Sequence, residues 1–295
     1  VKAEDVKVDD GSAEIKLPSA DAKLDDGANQ KVVSANATKS VAITGGGLNI
    51  IIPVGTLTAG TDVNALLVDP KASGNVIKVT KPDGTTAILP IATVSGGQAA
   101  YVANIPGKYE VIDNSKTFPD ANNHWALPAI GFVSAREFFK GDSTGAFSPD
   151  QLMTRGMLAT VLARIDGGKA GGGVSFSDVP TSAWYAKEIS WAAQNKLVEG
   201  DGKNFNPEED LTREQLCVIL ARYLEYSGLY LPETATMDSF SDMGAVSPWA
   251  KSAVEQAVKA GLIDGKSGGT LDPQGKATRA EIATILQRFV EGVLK

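Results

Sequence analysis

The chain has 295 residues, a formal net charge of −7, one cysteine and one histidine. That length suits about two domains, and the negative charge argues against a nucleic-acid partner, because neutralising phosphates requires a basic face. The lone Cys217 rules out an intramolecular disulfide, and the lone His124 argues against histidine-rich metal sites and nucleophile-histidine catalysis. No apolar run is long enough for a membrane span, and no basic-then-apolar start indicates a signal peptide. We therefore predict no metal, no cofactor and no membrane insertion.

The N-terminal part of the chain predicts a small all-β sandwich preceded by a linker. Residues 1–29 are rich in Lys, Asp, Glu and Ala, and we interpret them as a linker or the end of an upstream region, in which 13–17 can form a strand. Short β-branched runs separated by Gly-, Pro- and Asn-containing turns follow at 31–34, 40–44, 48–54, 65–68, 76–80, 85–89, 99–103 and 108–112. Strands at this density favour a β-sandwich over residues 30–116.

From residue 117 onward, the same landmarks occur three times. Each copy opens with Phe-x-Asp, has a Trp seven to nine residues after the Phe, and has a Gly 16 residues after the Trp. The acids are Asp120, Asp178 and Asp242, the tryptophans are Trp125, Trp184 and Trp249, and the glycines are Gly141, Gly200 and Gly265. Apolar residues at helical spacing predict a helix between each Trp and Gly, with the Gly as its C-cap.

A Thr-Arg pair begins a second helix in each copy, at Thr154-Arg155, Thr212-Arg213 and Thr278-Arg279. Apolar residues lie 4, 7, 8 and 11 positions after each Thr and form one buried stripe, and the Thr suits the N-cap. Each unit is therefore helix, turn, helix, over 117–168, 174–228 and 238–295. Because units of this size cannot bury both helices alone, we predict that the three pack around a shared centre in one all-α body.

The repeated arginines carry the wrong charge for a helix start, where a cation is disfavoured by about 0.3–1 kcal/mol. Repetition at the same cap position indicates a use, because a guanidinium beside free first-turn N–H groups suits a planar carboxylate. The alternative is an ion pair with a nearby acid, such as Asp150, Asp210 or Asp272. The second and third copies also complete a capping box, which Gly156 and Met157 prevent in the first.

The repeated tryptophans and acids each leave two interpretations open. The tryptophans either close their repeat as half-buried rings or stack on a sugar ring. The acids either accept hydrogen bonds from sugar hydroxyls or cap a turn. Trp191, in the middle of a helix, suits packing, and Cys217 suits a core position.

These motifs resemble the S-layer homology domain, three copies of which typically anchor bacterial surface proteins to the cell wall. The resemblance rests on Phe-Ser-Asp, a following Trp, Gly-x-x-x-x-Phe-x-Pro, and Leu-Thr-Arg-Glu or Ala-Thr-Arg-Ala-Glu, and it covers about residues 117–295. It implies a pseudo-threefold body with one helix of each repeat in a central bundle and with grooves between neighbouring repeats. In the family, these grooves bind secondary cell-wall polysaccharide, commonly through a pyruvylated N-acetylmannosamine.

The resemblance also implies which residues contact the glycan and none that catalyse a reaction. The expected glycan-binding residues are Arg155, Arg213, Arg279, Trp125, Trp184, Trp249, Asp120, Asp178 and Asp242. We therefore predict a non-catalytic anchor, extracellular at the bacterial cell wall or S-layer, that binds an anionic and pyruvylated polysaccharide. Two alternatives stay open: a structural S-layer lattice protein that self-assembles, and the anchoring fragment of a cell-surface glycan hydrolase.

Overall fold

The structure is a computed structural model that describes most of the chain after residue 74 and five strands before it. The described residues are 6–9, 12–16, 33–34, 40–44, 49–53, 74–81, 83–95, 98–102, 107–235, 240–266 and 268–294. They fall into two compact units. One runs to Thr117 and includes Gly131–Glu137, and the other contains Phe118–Ile130 and Phe138–Val293.

The first unit contains two β-sheets. The strands are β1 Val6–Asp9, β2 Ser12–Lys16, β3 Val33–Ser34, β4 Ser40–Thr44, β5 Asn49–Pro53, β6 Asn75–Thr80, β7 Thr86–Ile88, β8 Ala92–Ser95, β9 Gln98–Val102 and β10 Gly107–Asp113. One sheet has the order β1-β2-β4-β10-β6-β7 and the other β3-β5-β9-β8. Neighbours pair antiparallel except β2 with β4 and β3 with β5, which pair parallel. Closure of the two sheets into a sandwich stays a prediction.

Most predicted strand runs coincide with strands of the two sheets. Two strands were missed: β1, which lies among charged residues, and β8, whose sequence Ala-Thr-Val-Ser has little apolar character. Both β1 and β2 lie in the segment interpreted as a linker, and β2 pairs with β4 from Ser12–Ser40 to Lys16–Thr44. The run predicted at 65–68 lies outside the described residues.

A buried arginine joins separate parts of the first unit. Arg136 is 4% exposed, and its Nε and Nη2 atoms donate to the Ala92 carbonyl at 2.9 and 2.7 Å. Its Nη1 atom donates to the Phe132 carbonyl at 3.0 Å, and the guanidinium lies 3.4 Å from the centre of the Phe132 ring. A buried guanidinium needs such partners, because an unpaired one is strongly penalised. The interaction ties residues 131–137 to β8.

The described part of the chain after residue 117 carries six α-helices, two for each repeat of the landmarks. They are α1 Leu127–Ala135, α2 Arg155–Ile165, α3 Ala186–Gln194, α4 Arg213–Ser227, α5 Lys251–Lys259 and α6 Arg279–Val293. Two 3-10 turns, Pro119–Ala121 and Met243–Ala245, follow Phe118 and Asp242. The predicted order, strands followed by helical repeats, is confirmed.

The helices that begin at Thr-Arg supply deeply buried core residues from every repeat. In each of them, the apolar residues four and eight positions after the Thr are at most 1% exposed: Leu158, Leu162, Leu216, Leu220, Ile282 and Leu286. The threonines cap these helices, since the Thr154, Thr212 and Thr278 hydroxyls accept the N–H three residues on. Gln215 and Glu281 complete the two predicted capping boxes by accepting the Thr N–H.

The prediction that Gly141, Gly200 and Gly265 are helix C-caps is wrong. Helices α1, α3 and α5 end at Ala135, Gln194 and Lys259, well before these glycines. A Cβ on the glycines would lie 2.9, 2.7 and 2.5 Å from Cε1 of Phe118, Phe176 and Phe240. Glycine is therefore required because the Phe of the same repeat's Phe-x-Asp packs against its backbone.

Candidate functional site

Three backbone hydrogen bonds join the repeats in a closed ring just before the Thr-Arg pairs. The Met153 N–H donates to the Ala277 carbonyl at 2.9 Å, the Ala277 N–H to the Leu211 carbonyl at 3.0 Å, and the Leu211 N–H to the Met153 carbonyl at 2.8 Å. All three residues are fully buried. The ring brings the starts of α2, α4 and α6 together.

The first-turn N–H groups of these helices are used inside the protein. Arg155 and Gly156 donate to the Glu209 and Pro207 carbonyls at 3.0 and 2.9 Å. The same contacts recur from Arg213 and Glu214 to Gly275 and Pro273, and from Arg279 and Ala280 to Gln151 and Pro149. The third N–H bonds to the capping Thr. The expectation of free N–H groups at the helix starts is therefore wrong, because the turn of another repeat satisfies them.

Each repeated arginine also hydrogen-bonds to that turn through its side chain. We call Phe147, Phe205 and Leu271 the plug residues, since each is a buried apolar side chain in the turn between two helices. Arg155 Nε donates to the Phe205 carbonyl at 3.0 Å, Arg213 Nε to Leu271 at 2.8 Å and Arg279 Nε to Phe147 at 2.8 Å. The arginine of the first repeat is thus bonded to the plug turn of the second, that of the second to the turn of the third, and that of the third to the turn of the first.

Two of the three acids proposed as ion-pair partners of these arginines interact elsewhere. Asp150 Oδ1 lies 3.2 Å from His124 Nε2, and Asp272 Oδ2 lies 2.7 Å from Lys266 Nζ. The three arginines also differ in access. Arg213 is only 5% exposed, whereas Arg155 and Arg279 are partly exposed, and burial lowers the pKa of both guanidinium groups.

The repeated acids cap the plug turn of their own repeat. Asp120 Oδ1 and Oδ2 accept the Phe147 and Ser148 N–H groups at 2.9 and 2.6 Å. Asp178 accepts the N–H groups of Phe205 and Asn206, and Asp242 those of Leu271 and Asp272. The residue after each plug is left-handed, with φ of 57° at Ser148, 57° at Asn206 and 55° at Asp272. Of the two interpretations offered for these acids, the observed contacts are those of a turn cap.

These contacts alter the pKa of two of the acids. Burial raises the pKa of the Asp120 carboxyl, but the Phe147 and Ser148 amides outweigh it, and the pKa lies below its ordinary value. The pKa of Asp242 is also lowered, chiefly by the Leu271 amide. Both acids are therefore charged over the whole neutral range.

The repeated tryptophans are surface residues. Trp125, Trp184 and Trp249 are 63%, 59% and 59% exposed, whereas Trp191 is 6% exposed. The predicted packing role of Trp191 and the predicted core position of Cys217, which is 3% exposed, are confirmed. An indole exposed to this degree presents a ring face to solvent and is available to a ligand.

One groove around these residues combines all three repeats. We call it the first groove: a cavity of about 720 Å³ whose lining includes Phe139, Lys140, Asp142, Arg164, Trp184 and Arg279. The turn residues come from the first repeat, Trp184 from the second and Arg279 from the third. Two of the predicted site residues, Trp184 and Arg279, thus meet in one cavity.

A second groove repeats this arrangement around the turn of the second repeat. It is a cavity of about 160 Å³ whose lining includes Arg155, Glu199, Gln215, Arg222 and Trp249. A further cavity of about 500 Å³ between α4 and α5 shares Arg222 and Trp249 with it. Arg155 and Trp249 are therefore the second pair of predicted site residues that the fold brings together.

The two grooves differ in charge. The first groove contains Lys140, Arg164 and Arg279 against the single acid Asp142. In the second groove Glu199 Oε2 lies 3.1 Å from Arg222 Nη2, so an internal ion pair uses part of its positive charge. Sequence reasoning missed Arg164 and Lys140. An available signal was that an arginine stands ten residues after the Thr in every copy, at Arg164, Arg222 and Arg288.

The part of the chain that the structure describes contains neither a metal-binding cluster nor a membrane-spanning helix. Within it, no three His, Cys, Asp or Glu side chains are grouped so that they could hold a metal ion. None of the described helices is both long and apolar enough to cross a membrane.

Comparison with known proteins identifies the repeats. The sequence model of the S-layer homology domain matches residues 117–156, 175–217 and 239–283. These segments contain the Phe-x-Asp, Trp, Gly and Thr-Arg landmarks of each repeat.

Several curated relatives are similar to the chain. The chain is 32% identical over 201 residues to the amylopullulanase of Thermoanaerobacterium thermosulfurigenes, covering 67% of this chain and 11% of the relative. It is 33% identical over 173 residues to the surface-layer 125 kDa protein of Lysinibacillus sphaericus, covering 57% and 14%. It is 29% identical over 176 residues to the cellulosome-anchoring protein of Acetivibrio thermocellus, covering 57% and 39%.

The chain therefore spans only a small part of the length of these relatives. Two of these relatives carry a surface-layer or anchoring role in their names. Residues 117–156, 175–217 and 239–283 are a triplet of S-layer homology domains, which anchor proteins to the bacterial cell wall, and the chain is located at the cell wall or cell surface.

Proposed function

We propose that this chain anchors a surface protein non-catalytically by binding an anionic, pyruvylated secondary cell-wall polysaccharide in grooves between its repeats. The observation that carries the proposal is the first groove, where Arg279, Arg164 and Lys140 meet the exposed indole of Trp184 in one cavity. A cation cluster beside an aromatic face suits an acidic sugar, since the charge takes the acid and the ring takes the apolar face of the sugar.

Hydrogen bonds to backbone carbonyls orient the guanidinium of Arg279 so that it can bind an acid. Its Nε and Nη2 atoms donate to the Phe147 and Lys140 carbonyls at 2.8 and 3.3 Å, which fixes the plane of the group. Arginine has five N–H donors, so donors remain for a carboxylate. Because the side chain is positioned before the ligand arrives, little rotamer entropy is lost on binding.

The size of the first groove also suits a sugar. Its volume of about 720 Å³ lies in the range of about 300–1,000 Å³ that is usual for small-ligand sites. Trp184 comes from a different repeat than Arg279, so the correct packing of the repeats is needed to build the site.

We propose that the units 117–168, 174–228 and 238–295 form a pseudo-threefold body, preceded by a β-sandwich over 30–116.

The relatives support a module that works beside other domains. The amylopullulanase and the Acetivibrio thermocellus exoglucanase XynX carry catalytic names, but the chain spans 11% and 17% of them. The cellulosome-anchoring protein carries the function in its name. A turnover assay on wall glycans with this chain alone is expected to release no product, and measurable release would contradict the non-catalytic proposal.

Binding of purified wall polysaccharide before and after chemical removal of pyruvate tests the proposal. We expect removal of pyruvate to weaken binding at least tenfold, since charge-assisted hydrogen bonds contribute about 1.5–3 kcal/mol each. An unchanged affinity would show that the acid is not recognised.

The matched variants for this test are Trp184→Ala and Tyr230→Ala. Both remove an exposed aromatic side chain, 59% and 54% exposed respectively, but only Trp184 lines the first groove. We expect Trp184→Ala to weaken binding about tenfold with an unchanged thermal midpoint, and Tyr230→Ala to bind like wild type. Equal binding by both variants would contradict stacking on Trp184.

A further inference from the structure

Lys140, Glu199 and Asp264 occupy the same place in the three repeats, and we call this place the gate position. In each repeat its carbonyl accepts a hydrogen bond from Nη2 of the arginine that holds the plug. Arg279 donates to Lys140 at 3.3 Å, Arg155 to Glu199 at 2.6 Å and Arg213 to Asp264 at 3.1 Å. The backbone of the gate position is therefore fixed by the fold, while its side chain differs in charge from repeat to repeat.

We propose that the side chain at the gate position decides which groove accepts an anionic sugar: Lys140 admits it to the first groove, and Glu199 excludes it from the second. This inference rests on the proposed function and deepens it, because it assigns the acidic sugar to one groove.

In the second and third repeats, the side chain at the gate position pairs with the arginine ten residues after the Thr. Glu199 Oε2 lies 3.1 Å from Arg222 Nη2, and Asp264 Oδ2 lies 2.6 Å from Arg288 Nη2. The first repeat has Lys140 at this position, so the corresponding arginine, Arg164, shares its groove with a second cation instead of a gate carboxylate. Arg164 and Arg279 line the same groove, and the pKa of Arg279 is lowered by burial and further by the charge of Arg164.

An incoming carboxylate meets opposite conditions in the two grooves. In the second groove it must compete with Glu199 for Arg222 and is repelled by the Glu199 charge. In the first groove it gains the attraction of Lys140 in addition to that of Arg279. At the same distance, a positive gate residue attracts the incoming carboxylate as strongly as a negative one repels it. Replacing Lys140 by Glu should therefore weaken binding in the first groove, and replacing Glu199 by Lys should strengthen binding in the second.

Titration calorimetry with a synthetic pyruvylated N-acetylmannosamine glycoside tests the inference. We expect wild type to bind one molecule, Lys140→Glu to bind at least tenfold more weakly, and Glu199→Lys to bind two. Lys203→Glu is the matched control, since it makes the same change of charge at an exposed lysine outside both groove linings, and we expect it to bind like wild type.

Both gate residues are exposed, so the variants should fold, and thermal unfolding checks this. Glu199→Gln is a second test that removes the negative charge without introducing a positive one. We expect it, too, to raise the binding stoichiometry toward two. Binding by Lys140→Glu within twofold of wild type, or a stoichiometry of one for both Glu199 variants, would overturn the role of the gate position. Failure of wild type to bind the glycoside at all would instead contradict the proposed function.

Discussion

Asp120 and Arg279 both hydrogen-bond to the backbone of the same residue, Phe147. The Asp120 carboxylate accepts the Phe147 N–H at 2.9 Å, and Arg279 Nε donates to the Phe147 carbonyl at 2.8 Å. Asp120 belongs to the first repeat and Arg279 to the third, so the plug is fixed by its own repeat and by another one. These two residues therefore stabilise the fold independently of any ligand.

The cap on the plug turn predicts a stability defect for Asp120→Ala. The variant leaves the Phe147 and Ser148 N–H groups without their carboxylate and removes the support of the left-handed Ser148. We expect the free energy of unfolding to fall by about 1–3 kcal/mol in urea denaturation, and Asp120→Asn, which keeps one acceptor oxygen, to lose less. A loss confined to glycan binding, with unchanged stability, would contradict this account.

The contact between the repeated glycines and phenylalanines predicts the effect of Gly265→Ala. The added Cβ would lie 2.5 Å from Phe240 Cε1 and 3.0 Å from the Thr270 carbonyl oxygen. We expect a loss of about 1–3 kcal/mol in the free energy of unfolding, because neighbouring groups must move. Gly244→Ala is the control, since its Cβ would meet nothing within 4 Å. Equal stability of the two variants in urea denaturation would show that the glycine is not needed for packing.

The surroundings of Asp166 predict that Asp166→Asn stabilises the protein at neutral pH. Burial raises the pKa of its carboxyl, and the Tyr226 hydroxyl, the charge of Lys169 and the Tyr223 hydroxyl only partly offset this. A raised folded pKa means that the contribution of this acid is fully present below its unfolded pKa and is lost as the pH rises through the folded pKa. The charged form also lies at the C-terminal end of α2, where the macrodipole disfavours it.

We therefore expect Asp166→Asn to gain up to about 1 kcal/mol in urea denaturation at pH 7 and to show no gain near pH 3. Asp201→Asn is the control of opposite sign. The pKa of Asp201 is lowered, chiefly by the Asn204 amide, so its contribution is present above the unfolded pKa and this variant should lose stability at pH 7. A gain for Asp166→Asn that does not vary with pH would contradict the electrostatic cause.

The helices and their starting residues could be predicted from the sequence because their signals are local. Thr212 and Gln215 lie within one turn of each other, and their reciprocal hydrogen bonds form as the capping box predicts. Apolar spacing likewise located the buried Leu216 and Leu220. Both patterns involve residues that are close together in the sequence, so they can be recognised without the tertiary structure.

The departure of the first repeat at Gly156 could not be explained from the sequence. A Cβ there would lie 3.1 Å from both the Pro207 carbonyl oxygen and Tyr185 Cδ1, and Tyr185 occupies the place that Ala126 and Ala250 have after the other tryptophans. The missing side chain at 156 thus makes room for a ring from the second repeat. That compensation is visible only when the two residues are neighbours in space.

What the sequence by itself determined is the identity and order of the parts: three copies of Phe-x-Asp, Trp, Gly and Thr-Arg, each with two helices, and the family to which they belong. What only the tertiary structure decided is which groups those parts offer to a ligand. Arg279 and Phe147 are 132 residues apart, and no periodic pattern records a pairing at that distance. Because buried N–H and C=O groups must find partners somewhere, the packing of the repeats uses the helix-start amides and the three acids, and it leaves Trp184, Lys140 and the outer edge of Arg279 to face the groove.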